Sequence, residues 1–384
     1  MNRRRFLAAA PALYSATLLS APAAPARLLV VFLRGGYDAA NVLVPIASRD
    51  YYELRPNIAI AREAALAIDA DWGLHPALAE SVHPLYLRRE AAFIAFAGTD
   101  NLSRSHFETQ DSLELGQPAG VRTYASGFMN RLAAEIGAAR AISFTNQLPL
   151  AFRGGANVTN VALNAPGRAA LDARQSALIA GMYKDTPYAG AVSDGFAARE
   201  TVMRELGEEM VAASRNAVNA RGFVDQAPRL ARLMRGEYRL AFVDVGGWDT
   251  HVGEGGGQGY LALRLDEFGR GLAAFAAAME GAWRETVVVV ISEFGRTFRE
   301  NGNRGTDHGH GSVYWVLGGS VRGGRVAGEQ VRVARGTLFQ DRDYPVLNDY
   351  RAVLGAVFGR LYGLSGAALA NVFPAAAPRD FALL

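Results

Sequence analysis

Residues Thr286–Ile291 read TVVVVI, with no polar position after the threonine. A strand with one wet face would alternate apolar and polar residues. An unbroken apolar run of this length instead marks a strand buried on both sides, as in a sheet covered by helices on each face. The pattern recurs in Arg27–Leu33 (RLLVVFL), Ala92–Ala97 (AFIAFA), Ala141–Thr145 (AISFT), Leu240–Val245 (LAFVDV) and Val313–Leu317 (VYWVL). Helix-like segments lie between them, notably Tyr124–Arg140, Phe196–Ala220 and Tyr260–Trp283. The alternation predicts a single α/β domain over residues 27–384 with a central parallel sheet. Half of the 384 residues are hydrophobic, enough for a core of that size. Residues 145–194 lack the pattern and read as a loop-rich insertion or cap.

The first 26 residues, MNRRRFLAAAPALYSATLLSAPAAPA, set a basic start before an Ala/Leu-rich stretch and end on small residues. Arg3-Arg4-Arg5-Phe6-Leu7 fits the twin-arginine pattern R-R-x-F-L, and Ala21-Pro22-Ala23 and Ala24-Pro25-Ala26 both fit a cleavage site. Residues 1–26 are read as a twin-arginine signal peptide. The expected partner is the twin-arginine export machinery, and the expected location is periplasmic or secreted. The apolar stretch is short and mild for a span, so no stable membrane span is expected in the mature form.

Several classes are excluded. The net charge is +3, part of it in Arg3, Arg4 and Arg5, and no basic stripe interleaves with aromatics, so no nucleic acid partner is expected. The chain has no cysteine, which removes disulfides, thiolate metal sites and cysteine nucleophiles. Arg34-Gly35-Gly36 after the first strand lacks the G-x-G-x-x-G spacing, which discounts a dinucleotide-binding oxidoreductase.

The chemistry concentrates in GGWDTH (Gly246–His251), SEFGRT (Ser292–Thr297) and GTDHGHG (Gly305–Gly311), which gather Asp249, His251, Glu293, Asp307, His308 and His310. The first two follow predicted strands and the third precedes one. In open α/β sheets functional groups sit at the carboxyl ends of strands. Asp38 lies just beyond the first strand. Asp249 with His251, and His308 with His310, are spaced i, i+2, so in extended backbone each pair faces one side. Mixed oxygen and nitrogen donors suit one or two divalent ions, Zn²⁺ or Mn²⁺ ahead of Mg²⁺ or Ca²⁺. Taken singly, an aspartate after a strand is more often a cap or turn former.

A second segment, GTDNLSRSHFETQD (Gly98–Asp111), follows the strand at Ala92–Ala97. Ser105 and Glu108 fit a capping box, which predicts a helix start there. A hydroxyl in that positive field is a candidate nucleophile, Ser105 ahead of Ser103 and Thr99. Arg104 and Arg296 are candidate anion clamps. His106 is a candidate proton donor or metal ligand.

Together, LRGGYDAANVLVP (Leu33–Pro45), SRSHFETQD (Ser103–Asp111), GGWDTH, SEFGRT and GTDHGHGS resemble the exported bacterial family catalogued as domain of unknown function 1501. That family is placed in the alkaline phosphatase-like superfamily with sulfatases, phosphodiesterases and metal-dependent phosphoglycerate mutases. The resemblance implies a three-layer α/β fold with a mostly parallel sheet and two metal ions. Asp38 would hold one ion, and Asp249 and His251 the other, joined by His308 or His310. The superfamily strand that usually ends in Asp-His ends here in Glu293-Phe294, so His308 or His310 is expected to replace the missing imidazole. The expected substrate is an anionic phosphate or sulfate ester. The alternative is a non-catalytic, metal-stabilised binding or assembly protein. A formylglycine sulfatase is disfavoured, because aligning Ser103-Arg104 on its motif puts Asp100 at the modified position.

Overall fold

The computed structural model describes residues 26–137, 140–145, 147–162, 181–187, 189, 223–377 and 379–384. The expected signal peptide, the helix expected over Phe196–Ala220 and half of the insertion expected over 145–194 lie outside the described residues.

Among the described residues, nine strands form the main sheet: β1 (Arg27–Leu33), β2 (Ala91–Gly98), β3 (Arg140–Phe144), β4 (Val158–Asn160), β5 (Tyr238–Val245), β6 (Thr286–Ser292), β7 (Ser312–Gly318), β8 (Arg325–Ala327) and β9 (Asn348–Asp349). The order is β8-β2-β7-β6-β1-β5-β3-β4, with β9 also on β2. Each strand expected from an apolar run is present. The sheet is mixed and mostly parallel, because β7 runs antiparallel to both its neighbours, β2 and β6. A strand buried on both faces carries no mark of its direction, so this reversal is invisible in the run VYWVL.

Successive residues of β1 point to opposite faces. Leu29, Val31 and Leu33 join one buried cluster, and Leu28, Val30 and Phe32 join the other. Helices α1 (Phe223–Arg235) and α2 (Tyr260–Met279) cover the first face through Leu230, Leu265, Phe268 and Leu272. Helices α3 (His106–Leu115), α4 (Phe128–Glu135) and α5 (Tyr350–Tyr362) cover the second through Leu113, Phe128, Val353 and Phe358. The result is three layers. The expected helix over Tyr124–Arg140 shortens to α4, with Gly127 as its N-cap. No helix among the described residues is long and apolar enough to cross a membrane.

Register levels the strand ends. Leu33 pairs with Val245 on one side and with Ser292 on the other, so β1, β5 and β6 finish side by side. The parallel directions put Gly35, the loop Gly246–His251 and Glu293 at one edge. Strand β2 is antiparallel to β7, which is antiparallel to β6, so β2 ends at that edge too and α3 starts beside it. The reversal of β7 makes it begin there, which brings Gly305–Gly311 to the same place.

Candidate metal centre

Three imidazoles from three separate segments meet at this edge. His106 is the first residue of α3, His251 follows β5, and His308 precedes β7. Nε2 of His308 lies 2.9 Å from Nε2 of His106 and 3.0 Å from Nε2 of His251. Asp249 closes the group, with Oδ1 3.0 Å from His251 Nε2 and 3.3 Å from His308 Nε2. Its Oδ2 is 3.5 Å from His106 Nε2.

The other nitrogen of each ring is held in place. Nδ1 of His106 lies 2.8 Å from Glu293 Oε1, that of His251 3.2 Å from Asp307 Oδ1, and that of His308 3.0 Å from the Arg104 carbonyl. Carboxylates and carbonyls only accept, so each Nδ1 carries a proton, and in the neutral ring each Nε2 presents a lone pair. Three lone pairs and a carboxylate facing one point repel one another unless a cation stands between them. An ion bound tetrahedrally at imidazole distances separates neighbouring donors by about 3.3 Å, which matches the observed spacings. Histidines fixed through the far nitrogen are also what metal sites use to orient ligands. His106, Asp249 and His308 fit one divalent ion, and His251 stands beside that group, its Nε2 close to His308 and Asp249.

The electrostatics agree. Burial alone would raise the Asp249 carboxyl, but Arg296, His251 and His106 hold it below its ordinary range. Burial also opposes ionisation of Glu293, yet hydrogen bonds from His106, Gln110 and the Gly35 N–H keep it ionised. The hydrogen bond to Glu293 is the main reason that His106 is more basic than usual. Burial, then the charges of His106 and Arg296, make His308 less basic.

Glycine permits the tight assembly. Gly35 has φ +122°, and a Cβ there would lie 2.7 Å from the Asp249 nitrogen. At Gly309 a Cβ would meet the Arg296 backbone at 2.4 Å, next to the Arg296–His308 bridge that sets the loop.

Not every expected residue joins the cluster. Glu293 stands behind His106 as its acceptor rather than at the convergence point. Asp38 is buried in a two-pronged ion pair with Arg55. His310 lies apart, buried against Phe339 at 5.0 Å, and burial lowers its pKa to about 4. Of the two histidines expected in place of the missing imidazole, His308 lies in the cluster and His310 does not, and His106 lies in it as well. Phe294 packs against His106 and His308 at 4.9 and 5.1 Å between ring centroids.

Neither expected anion clamp is free. Arg296 is buried on Asp249 and Thr306. The Arg104 side chain binds Asp343 and Gln340, while its carbonyl orients His308. Ser105 is the N-cap of α3 as expected, but its side chain makes no capping bond, so the capping box with Glu108 does not form. Ser103 Oγ accepts from the Ser105 N–H at 3.3 Å instead and lies 3.3 Å from Thr109 Oγ1.

Gln110 also serves the centre, though no motif marks it. It lies one turn after His106 on the same helix face, a spacing that could have exposed it. It binds Glu293 at 2.9 Å and is itself bound by Arg34 at 2.9 Å. Arg55 has no comparable signal.

Fold and site define a three-layer α/β protein with a histidine–aspartate centre suited to a metal. The chain belongs to the family described as "Protein of unknown function (DUF1501)", whose model matches residues 25–373. No curated protein matches the sequence. Among solved structures the chain is similar to BT1596, a 2-O GAG sulfatase, with TM-score 0.41, 8% identity and coverage of 89% of this chain and 71% of that one. It is similar to Ps i-CgsB in complex with k-i-k-neocarrahexaose, with TM-score 0.40, 9% identity and coverage of 90% and 74%. It is also similar to a protein in the alkaline phosphatase superfamily from Vibrio parahaemolyticus, with TM-score 0.38, 12% identity and coverage of 77% and 60%.

Proposed function

We propose that this chain is an exported, metal-dependent hydrolase of phosphate or sulfate esters. The observation that carries the reading is the convergence of three Nε2 atoms on Asp249 with every Nδ1 fixed from behind. A bound Zn²⁺ or Mn²⁺ would supply Lewis acidity toward an ester oxygen. The chain's own residues do the rest. His106, His251, His308 and Asp249 hold the cation, and Glu293 and Asp307 keep two of the imidazoles oriented. Side chains of Asp249 and His251 are 42% and 41% exposed, so a substrate reaches the site from solvent. Ser105, one residue before His106 and free of capping duty, is the favoured nucleophile. A water nucleophile is the variant of the same reading.

The leader motif Arg3-Arg4-Arg5-Phe6-Leu7 supports export through the twin-arginine route to the periplasm or beyond. That route carries folded proteins, which suits a chain that takes up its metal before export.

One observation favours a second reading, a metal-stabilised binding protein without turnover. Arg104 and Arg296 are both engaged in ion pairs, leaving neither to meet the charge of a transferred group. Protein matured through its native export route, loaded with Zn²⁺ or Mn²⁺ and assayed on aryl phosphates, phosphodiesters and aryl sulfates, separates the two. Hydrolysis is expected, and chelation or Asp249→Ala should abolish it. A metal-loaded protein that turns over none of these esters establishes the second reading.

A further inference from the structure

Behind the metal centre lies a second buried polar cluster of Asp38, Arg55, Glu254, Asn41, Thr250 and Thr306. Five of these side chains are no more than 1% exposed, and Thr250 is 3% exposed. Arg55 leaves none of its N–H groups idle. Nε donates to the Phe298 carbonyl at 2.7 Å. Nη1 donates to Asp38 Oδ2 and, at 3.0 Å, to Asn41 Oδ1. Nη2 donates to Asp38 Oδ1 and to the Thr297 carbonyl, both at 2.9 Å. These five bonds use all the donors that a guanidinium has.

Both oxygens of Asp38 are thereby committed to a permanent cation. Glu254 is itself engaged, and its Oε1 accepts from Asn41 Nδ2 at 3.4 Å. Its Oε2 accepts from Thr250 Oγ1 at 2.8 Å and Thr306 Oγ1 at 2.9 Å. Burial, and then the neighbouring Asp38 charge, push its pKa well upward. Arg296, which directly precedes Thr297, one of the two carbonyl contacts of Arg55, adds a second buried positive charge on Asp249. A dication placed here would meet two guanidinium groups, with both Asp38 oxygens taken by Arg55 and the Glu254 oxygens facing Thr250, Thr306 and Asn41.

We infer that the site takes one divalent ion, not two, and that Arg55 stands on Asp38 as a built-in cation where a second ion would otherwise bind. This rests on the metal-dependent reading of the first site. It makes Asp38 and Arg55 positioning residues: they brace the segment Thr297–Phe298, which continues from Arg296.

The test is ion stoichiometry, which does not require activity. Chelator-stripped protein is titrated with Zn²⁺ and, separately, Mn²⁺, and read by native mass spectrometry and calorimetry. One ion per chain is expected. Two ions per chain overturn the inference and leave the first site standing, whereas no ion removes the first site and the inference together. Asp38→Asn, checked for folding by circular dichroism, should keep one ion with affinity changed less than about tenfold, because Asp38 is not a ligand. Asp249→Asn should weaken that ion more than about 100-fold. If folded Asp38→Asn loses its ion as completely as Asp249→Asn does, Asp38 is a ligand and the inference fails.

Discussion

Nδ1 of His106 lies 2.8 Å from Oε1 of Glu293, joining the start of α3 to the end of β6. The same oxygen accepts from Gln110 at 2.9 Å and from the Gly35 N–H at 2.8 Å. One buried carboxylate thus ties two strand ends and a helix to a single imidazole. Glu293→Gln should therefore weaken metal binding by about 10- to 100-fold through loss of ring orientation rather than loss of a ligand. Chelator competition measures it. Gln110→Ala should have a smaller effect of the same sign. An unchanged affinity in Glu293→Gln would show that His106 needs no partner.

Metal removal should lower stability. An ion that binds only the folded chain stabilises it by about 4 kcal/mol when present at 1,000 times its dissociation constant. Thermal melts with and without chelator should differ in wild type and coincide in His308→Ala. Melts that coincide in wild type would mean that the convergent nitrogens hold no ion.

Much of this site is legible from sequence because strand ends are. Asp249, His251 and His308 sit where glycine-rich loops leave or enter apolar runs, and those runs fix the edge on which they gather. What sequence reading misplaces are directions. Glu293 follows a strand as a ligand would, yet its side chain turns toward His106, which only the position of α3 determines. Asp38 also follows a strand, but Arg55 lies 17 residues later in an unremarked segment and takes its charge. His308 and His310 are two residues apart, yet the bridge between Arg296 and His308 leaves His310 facing Phe339.

Arg296 should be a stability residue. Its side chain is fully buried and binds Asp249 and the Thr306 backbone and hydroxyl. Arg296→Ala leaves the Thr306 carbonyl without its donor and frees Asp249, which is partly exposed and can be hydrated. The expected loss is about 2 kcal/mol, below that of a fully buried pair. Urea unfolding measures it, and an unchanged midpoint would restore Arg296 as a candidate substrate clamp.

His75 should make the fold sensitive to acid. It is buried, its Nδ1 accepts from the Ala77 N–H at 3.0 Å, and its Nε2 lies 3.1 Å from the Gly256 carbonyl. Burial lowers its pKa to about 4, against smaller opposing pulls from the Gly256 carbonyl and Asp38. The unfolded chain takes up that proton near pH 6.5, so between about pH 6.5 and about pH 4 it binds more protons than the folded one. Stability falls as pH drops through that window and is unaffected above it. Between about pH 7.5 and about pH 4.5 the share of His75 is about 2.5 kcal/mol. His75→Asn keeps a side-chain acceptor for the cap, and urea melts of both proteins across that range isolate the share. Parallel profiles would reject the assignment.

The nucleophile can be tested by separating Ser105 from Ser103. Ser103 Oγ already serves the α3 start by accepting from the Ser105 N–H, whereas the Ser105 side chain makes no cap. Ser103→Ala should therefore cost about 1 kcal/mol of stability with activity largely kept, as cap removal does elsewhere. Ser105→Ala should leave stability and ion stoichiometry unchanged while lowering kcat by more than about 1,000-fold, the scale of losing an attacking group. Rapid quenching of a metal-loaded reaction should trap the transferred phosphoryl or sulfuryl group on Ser105. Full activity in Ser105→Ala would assign the attack to water and leave Ser105 as the residue that delivers His106 to the metal.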